Sequence, residues 1–428
     1  MYIRFPAVVL SLVGVLVALL TRSLTALIVF EAALAVLCLF DALLAPSPKR
    51  ISAQRSGPTE GHVDENLTHV ITLKSTARRR ITGTLRDAWP PSVQVTPKYQ
   101  NFQIPAGGKA ELAQTLTPRR RGTRLAEHLT LRTVGPLRLA GRQRSFPQQA
   151  LLRVLPPFKA RKNLPSRLKR LRELEGRTLL LVRGEGTEFD SLREYVPGDD
   201  VRAIDWRSSA RLGQTLVRTW RPERDRTVVI VVDSGRGGAM RFGEHPAFDA
   251  YMESALLLAA VTTRAGDRVH VLALDTQERM RVVDPAPSQV LNRLAQGFAD
   301  VEPAVTATDW RLASTYLRKA APHRALVVVL SSLSLGSISD GLQDFIAETA
   351  QRHTVIVGSL RREALSFAKP SDAEDAYETA AAARSSLETK ALLRALGQQA
   401  HVVMSDDEEA LPPSVTDAYI NLKAAGKL

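Results

Sequence analysis

Cysteine is almost absent from this sequence, and its absence narrows the fold classes available to the chain. A single cysteine among 428 residues excludes an internal disulfide framework and a cysteine-based zinc cluster, and therefore a secreted, cross-linked fold. No low-complexity tail concentrates the charge, and the hydrophobic share of 44% is ordinary, which argues against disorder as the main state. At roughly 100 to 200 residues per domain, the length predicts two or three domains.

Catalytic motifs are also missing. The eight histidines are scattered, and the sequence contains neither H-E-x-x-H nor G-x-S-x-G, patterns that place a metal or a nucleophile where catalysis needs it. We therefore predict that the protein is not an enzyme and has no catalytic residues. A hydrolase whose acid, base and nucleophile converge only in the folded chain is kept as a third hypothesis.

Positive charge is in excess, with 58 Lys and Arg against 44 Asp and Glu. Nucleic acids and the anionic cytoplasmic leaflet of a membrane both attract such a chain.

The first fifty residues favour the membrane, because two uncharged or nearly uncharged apolar runs, Phe5 to Leu20 and Leu24 to about Ala45, are joined by a short turn. At ~1.5 Å per residue each run is about long enough to cross a ~30 Å core, the first only just. We predict an antiparallel transmembrane hairpin over residues 1–45; no A-x-A cleavage site supports the alternative of a signal peptide.

The orientation of the hairpin follows from its flanking cations. Arg4 precedes the first run, Lys49, Arg50 and Arg55 follow the second, and Arg22 alone occupies the turn. The positive-inside rule therefore predicts a multi-pass protein of the cytoplasmic membrane with both termini and the soluble domains in the cytoplasm.

Glu31 lies inside the second apolar run, opposite residues 11–14 in a rough hairpin register. It is predicted to form an interhelical hydrogen bond, to be a protonated acid near the interface, or to contact another membrane subunit. Cys38 is interpreted as apolar filler and Asp41 as an interface residue.

Residues 61–157 show alternating apolar positions bounded by Pro and Gly, which predicts a small antiparallel β-sandwich after a linker at 46–60. The PRRRG segment at 118–122 is interpreted as an exposed turn or an electrostatic contact.

A basic connector follows at 158–226, and it begins with an apolar stripe of Leu164, Leu168, Leu171 and Leu174 on a cationic helix. Such a helix packs on a domain, lies on a lipid surface or docks on a partner.

The last part, 227–428, alternates Val- and Ile-rich strands with helical stretches. This pattern predicts a doubly wound α/β fold with a parallel sheet. Strands are expected at 227–233, 267–275, 324–332, 354–360 and 401–405. Ligands of such sheets bind at the carboxyl ends of the strands, where Asp233 ends the first strand. Neither a dinucleotide fingerprint nor a Walker lysine follows it, so nucleotide binding is not expected.

The segment from Gly184 to Gly213, GEGTEFDSLREYVPGDDVRAIDWRSSARLG, closely resembles the signature of the bacterial family labelled domain of unknown function fifty-eight. The matching positions are Gly186, Glu188, Phe189, Leu192, Arg193, Glu194, Tyr195, Pro197, Gly198, Asp199, Asp200, Arg202, Ile204, Asp205, Trp206, Ser209, Ala210 and Arg211. The resemblance implies a bacterial inner-membrane protein with a von Willebrand factor A-like domain. It also implies a partner, a MoxR-type AAA+ ATPase.

Von Willebrand A domains often hold a divalent cation through a D-x-S-x-S loop, a threonine and a second aspartate, because a hard cation requires several oxygen ligands. By position Asp233 matches the first aspartate and Thr308 the threonine, whereas Gly235 and Gly237 stand where the hydroxyls belong and Ser332 replaces the second aspartate. We expect a degenerate metal site that binds Mg²⁺ weakly or not at all. The alternative is that Asp233 only caps its loop.

The signature segment also has a structural interpretation. Asp199 or Asp200 is expected to cap a helix that has Ile204 and Trp206 on its apolar side. The charged and aromatic residues then form either an internal charge network or a partner surface. The proposed surface consists of Glu188, Arg193, Glu194, Tyr195, Asp199, Asp200, Arg202, Asp205, Trp206 and Arg211.

The sequence therefore predicts a membrane-anchored, non-enzymatic interaction or scaffold protein that works with a MoxR-type AAA+ ATPase in the assembly or maturation of a client complex. The loops around Asp233, Thr308 and Ser332 are expected to be presented to a protein partner. The alternative function is nonspecific nucleic-acid or anionic-lipid binding through the basic connector, although the connector lacks the interleaved aromatic residues of a recognition module.

Overall fold

Two units make up the chain, Met1–Pro157 and Phe158–Leu428, and each has a hydrophobic core of its own. The structure is a computed structural model. It describes residues 1–181, 188–221, 226–242, 245–333, 340–361 and 373–428.

The first unit begins with a short strand β1 (Tyr2–Ile3) and two apolar helices, α1 (Phe5–Thr21) and α2 (Leu24–Leu44). The helices pack against each other, and Ser11 Oγ donates a hydrogen bond of 2.9 Å to Glu31, which confirms the predicted interhelical hydrogen bond. Among the described residues, α2 alone is long and apolar enough to cross a membrane. At about 1.5 Å per residue, α1 extends only about 25 Å, so its 17 residues fall short of the core.

The rest of the first unit consists of two β-sheets. The strands are β2 (Ile51–Ser56), β3 (Glu60–His62), β4 (Leu67–Ser75), β5 (Ile81–Ala88), β6 (Val93–Thr96), β7 (Gln100–Ile104), β8 (Lys109–Pro118), β9 (Gly122–Val134) and β10 (Ala140–Leu155). One sheet has the order β1-β10-β9-β5-β7, with β3 also pairing with β10, and the other has the order β2-β4-β8-β6. Inward-facing residues of both sheets, such as Ile71 and Leu131, share one buried cluster. Apolar and polar residues alternate along the strands, so the apolar side chains of the two sheets face each other and form the core of the sandwich.

The sequence-based division of this unit was wrong at its beginning. The segment expected to be a linker, 46–60, contains β2, which pairs antiparallel with β4 from Ile51 to Ser56, and Ile51 is part of the core. Prolines and serines around β2 masked its short alternating pattern. The PRRRG segment occupies the turn between β8 and β9.

The second unit contains nine α-helices and ten strands among its described residues. They are α3 (Leu164–Leu181), β11 (Glu188–Glu194), α4 (Trp206–Leu212), β12 (Leu216–Arg221), β13 (Thr227–Asp233), α5 (Arg236–Ala239), β14 (Arg241–Phe242), β15 (His245–Pro246), α6 (Ala247–Arg264), β16 (Arg268–Leu274), β17 (Glu278–Val283), α7 (Val290–Ala299), α8 (Trp310–Ala320), β18 (Leu326–Leu330), α9 (Leu342–Ala350), β19 (Thr354–Leu360), α10 (Ala373–Leu396), β20 (His401–Ser405) and α11 (Leu411–Ala424).

The main sheet of this unit has the order β17-β16-β13-β18-β19-β20. All neighbouring pairs are parallel except β16 and β17. Alternate residues of the central strand β13 face two different cores: Val228, Ile230 and Val232 pack with α6 and α11, and Val229 and Val231 pack with α8 and α9. Helices therefore cover both faces of the sheet, which explains the continuous apolar sequence of the strand.

The basic helix α3 belongs to the second unit. Its Leu164 and Leu171 are buried with residues of α6 and α11. Its cations are also engaged: Arg167 pairs with Asp417 at 3.0 Å, and Lys162, just before the helix, pairs with Glu409 at 2.5 Å. The apolar stripe thus packs on a domain, and part of the positive charge of the connector is neutralised within that domain.

Candidate functional site

Asp233 ends the central strand β13 and is enclosed by hydrogen-bond donors. Its Oδ1 accepts hydrogen bonds from Thr308 Oγ1 at 2.6 Å and from the Gly235 amide at 2.8 Å. Its Oδ2 accepts a hydrogen bond from Ser331 Oγ at 2.5 Å. The carboxylate is only 1% exposed. Three protein donors therefore satisfy a group that would otherwise be costly to bury.

Strand register explains which serine contacts Asp233. Val232 pairs with Leu330 in the parallel ladder of β13 and β18, so Asp233 lies level with Ser331, the next residue. Ser332 was the sequence-based candidate, but Ser331 supplies the hydroxyl that contacts the carboxylate. Neighbouring residues of an extended chain point to opposite sides. Because the sequence SS contains both candidates, only the register distinguishes them.

The glycines after Asp233 are required by close packing. A Cβ atom at Gly237 would overlap Asp233 Oδ2 and lie 2.8 Å from Ser331 Oγ. A Cβ atom at Gly235 would overlap Thr308 Oγ1. The positions at which a D-x-S-x-S loop has its hydroxyls are therefore too close to Thr308 and to the carboxylate of Asp233 to hold a side chain without displacing them.

These residues do not fit a magnesium cage. Burial raises the pKa of Asp233 above its ordinary value, although the hydrogen bonds from Ser331 and Thr308 oppose that shift. Both hydroxyls point their protons at the carboxylate, whereas a metal ligand would turn a lone pair toward the cation. Over the described residues, no group of three or more His, Cys, Asp or Glu is arranged to hold a metal. The arrangement instead joins β13, β18 and the loop before α8.

The side chains at the centre of these loops are not accessible to a partner. Asp233, Thr308 and Ser332 are 1%, 3% and 2% exposed, because the loops on either side of β13 close over them. The Arg236 amide donates to the Thr306 carbonyl at 2.7 Å, which holds those loops together. Any partner contact at this edge of the sheet would use other residues of the loops.

Substituting serine for Gly237, where a D-x-S-x-S loop has its second hydroxyl, tests whether the Asp233 site is structural. We expect Gly237→Ser to destabilise the unit by about 2 kcal/mol, because the new side chain must displace Ser331 from Asp233. We also expect no rise in the melting temperature of the variant on addition of Mg²⁺. Thermal unfolding of the full chain in detergent, with and without Mg²⁺, measures both effects. A magnesium-dependent gain in stability would contradict the structural role of the site.

A second group of residues forms what we call the signature module, residues 188–221. Strands β11 and β12 pair antiparallel, and a 3₁₀ turn, Val201–Ala203, and α4 lie between them. Asp205 caps α4, since its Oδ1 accepts a hydrogen bond from the Ser208 amide at 2.9 Å. It also pairs with Arg218 of β12 at 2.7 Å. The Ser208 amide and Arg218 lower the pKa of Asp205.

The other predicted charges of the signature module have different roles. Asp199 pairs with Arg193 at 2.5 Å, and Asp200 caps the 3₁₀ turn through the Arg202 amide. The Tyr195 amide donates to the Thr215 carbonyl at 2.9 Å. Three other predicted residues are exposed: Glu194, Arg202 and Arg211. The side chain of Glu188, together with Gly184 and Gly186, lies outside the described residues.

Large apolar side chains are exposed on the signature module. Val196, Val201, Trp206 and Leu212 are 55%, 59%, 67% and 64% exposed. Trp206 was expected on the apolar side of the helix, but Asp205 turns the chain into α4 so that Trp206 is its first residue and faces solvent. Four such side chains within 17 residues, with Arg202 and Arg211 beside them, have the composition of protein-binding surfaces.

The match of a family model decides the relationship of this chain. The model described as "Protein of unknown function DUF58" matches residues 191–412, more than half of the chain. The chain belongs to the DUF58 family. The DUF58 match includes most of the signature module, the main sheet and the residues around Asp233.

Curated relatives of this DUF58 protein include uncharacterized proteins of Mycobacterium bovis and Mycobacterium tuberculosis. Each is 28% identical over 170 residues, which cover 39% of this chain. The chain spans about half the length of these relatives, 53%.

Solved structures resemble only part of the chain. A CARDB domain from Pyrococcus furiosus is 11% identical, with a TM-score of 0.18, and the match covers 27% of this chain and 91% of that one. A FixG-related protein from Vibrio parahaemolyticus is 8% identical, with a TM-score of 0.19, and covers 24% of this chain and 96% of that one. TM-scores this low carry no argument about function.

Proposed function

We propose that this DUF58 protein is a membrane-anchored, non-enzymatic interaction protein whose signature module binds a protein partner. The observation that carries the proposal is the exposure of Trp206 beside Val201, Val196 and Leu212. The family resemblance supports a MoxR-type AAA+ ATPase as the partner, acting with this protein in the assembly or maturation of a client complex.

The chemistry of the signature module supports a protein partner. Tryptophan and arginine are enriched among the residues that dominate the binding energy of protein interfaces. The module has Trp206 at the start of α4, and the adjacent Asp205 is fixed by its bond to Arg218. The backbone at the start of α4 is therefore held in place, which lowers the cost of ordering this segment on binding.

Anchoring in the membrane rests on the first unit. Helix α2 has the length and composition of a spanning helix, and we propose that α1 forms the second span of a hairpin with it. The basic residues that follow α2, Lys49 and Arg50, support a cytoplasmic position for both soluble units of this proposed inner-membrane protein.

We also propose that residues 227–428 form a von Willebrand factor A-like domain of the doubly wound α/β class. The parallel order β16-β13-β18-β19-β20 supports this assignment, as does an aspartate at the end of the central strand with a threonine beside it. In this proposal Asp233 has a structural role in place of the metal-binding role of related domains.

Binding measurements with purified proteins test the partner surface. The full chain in detergent is titrated with the MoxR-type AAA+ ATPase encoded in the same genome, and the affinity is measured by biolayer interferometry. We expect Trp206→Ala to weaken binding by at least about 30-fold, the effect of losing one dominant interface residue.

Val305→Ser is the matched control. Val305 is 83% exposed and lies in the loop whose Thr306 carbonyl bonds to Arg236 near the buried Asp233. The control therefore tests the edge of the sheet as a competing surface. Equal binding by wild type and Trp206→Ala, or a loss of binding confined to Val305→Ser, would contradict the proposal.

A further inference from the structure

A cleft of about 380 Å³ lies where α2 leaves the proposed membrane region. Its walls differ in chemistry. Met1, Leu39 and Leu43 form an apolar side, and Lys49, Arg142 and Arg144 form a cationic side. Leu39 and Leu43 are 52% and 62% exposed, so their side chains are open to the surroundings of the helix. We call this feature the juxtamembrane cleft.

The cationic side of the juxtamembrane cleft is held in position by the fold. Arg142 Nε donates to the Ala42 carbonyl at 2.9 Å, and a terminal nitrogen of the same guanidinium donates to the Leu43 carbonyl at 3.0 Å. These carbonyls end α2, so Arg142 joins the helix to β10. Arg144 lies over the ring of Phe146, 4.5 Å from its centroid. Cations held in this way are ready to bind an anion without further ordering.

No carboxylate neutralises these cations in the part of the chain that the structure describes. Lys49, Arg142 and Arg144 form no ion pair with an acidic residue of that part, and Arg142 keeps donors beyond the two that it gives to α2. Three positive charges therefore face the cleft, and no carboxylate of the described residues pairs with them. An anion that also has apolar chains would match both walls.

We propose that the juxtamembrane cleft binds an anionic glycerophospholipid, with the phosphate beside Lys49, Arg142 and Arg144 and an acyl chain along Leu39 and Leu43. The inference rests on the proposed membrane anchoring. The end of a spanning helix is at the depth of lipid headgroups, and cations at that depth attract anionic lipids. The volume of the cleft is within the range of small-ligand sites.

Lipid titration of the full chain tests the assignment. Wild-type protein in zwitterionic detergent is titrated with phosphatidylglycerol and, separately, with phosphatidylcholine, and bound lipid is counted by native mass spectrometry. We expect phosphatidylglycerol to bind more tightly than phosphatidylcholine. The double variant Lys49→Gln/Arg144→Gln should bind phosphatidylglycerol about 30-fold more weakly, since each cation near the surface contributes about fivefold. Arg142 is left unchanged because it also holds α2.

Lys98→Gln/Arg120→Gln is the charge-matched control, and we expect it to bind like wild type. Arg120 precedes β9 at the end opposite Val134, about 40 Å along that strand from the cleft. Equal binding of the two lipids by wild type, or an unchanged preference in the cleft variant, would overturn the proposal. Competition by inorganic phosphate at the same concentrations would overturn the lipid assignment in favour of a free anion.

Two further readouts separate this inference from the proposed function. Loss of partner binding in Trp206→Ala leaves the lipid preference unchanged if both proposals hold. Alkaline extraction of membranes checks the anchoring itself: wild type should remain in the membrane fraction, and its release would overturn the lipid site together with the anchor.

Discussion

Replacing Asp41 by alanine is expected to destabilise the contact between α2 and β10 by about 3 to 5 kcal/mol. The side chain is fully buried, and its two oxygens accept three backbone hydrogen bonds, from Leu137 at 2.7 Å and from Leu139 and Ala140 at 2.8 Å. Alanine would leave three amides without their acceptor, two of them buried, and an unpaired buried donor is more costly than the bond itself is favourable.

Hydrogen exchange measures this effect in the full chain in detergent. The amides of Leu137, Leu139 and Ala140 should exchange faster in Asp41→Ala by the factor that corresponds to the lost free energy. Glu31→Gln is the control, because Glu31 lies on the same helix and accepts one bond from Ser11, which an amide oxygen can also accept. Unchanged protection in Asp41→Ala would mean that the helix and the sandwich are held together by other contacts.

Asp41 is also one of several contacts that attach the two apolar helices to the sandwich. A Cβ atom at Gly135 would overlap the Asp41 carboxyl group, and the Arg4 amide donates to the Leu139 carbonyl at 2.9 Å. The two helices are therefore attached to the sandwich at several points and do not act as a flexible tether. In the proposed membrane arrangement, this attachment would fix the depth at which the sandwich lies.

Asp233→Ala is the second substitution with a large expected effect, a loss of about 2 to 4 kcal/mol from the second unit. Three donors, on Gly235, Thr308 and Ser331, would lose their acceptor, and a small cavity would remain. Hydrogen exchange of the peptide that contains β13, in the full chain, reports the loss. Asp233→Asn should lose far less, since its oxygen accepts two of the bonds and its amide donates to Ser331.

The pH dependence distinguishes the two charge states of Asp233. Burial raises its pKa in the folded state, so the proton is bound more tightly in the folded than in the unfolded chain. The stability that the protonated Asp233 contributes is therefore fully present below its pKa in the unfolded chain. It is lost as the pH rises through its pKa in the folded chain. We expect the stability of Asp233→Asn relative to wild type to increase from pH 4 to pH 7. A constant difference would show that ionisation of Asp233 carries no folding cost.

The sequence predicted the buried parallel strands well. The bounds of β13, β19 and β20 agree with the expected strands, because continuous Val and Ile runs permit few other structures. The edge strand β17, ERMRVV, was missed since its polar residues alternate and its neighbour is antiparallel. Helix α11 was not among the predicted elements; it begins with Leu411, Pro412 and Pro413, and proline is well suited to a first helical turn.

The candidate site was predicted only in part, for physical reasons. Asp233 and Thr308 were found because both follow a recognisable pattern, and they do meet. Ser331 was missed, since strand register is a property of the sheet and not of one segment. Burial of Asp233 and exposure of Trp206 could not be read from residue type, because loop closure and a single capping residue decided them.

Site-specific photocrosslinking in living cells tests the central claim most directly. A photoreactive phenylalanine derivative is placed at Trp206 or, as the matched control, at Val305, and the full chain is irradiated and purified from membranes. We predict one adduct of defined mass from position 206, identified by mass spectrometry as the AAA+ ATPase, and none from position 305. The same adduct from both positions, or no adduct from position 206, would contradict the claim that the signature module is the surface that binds the partner.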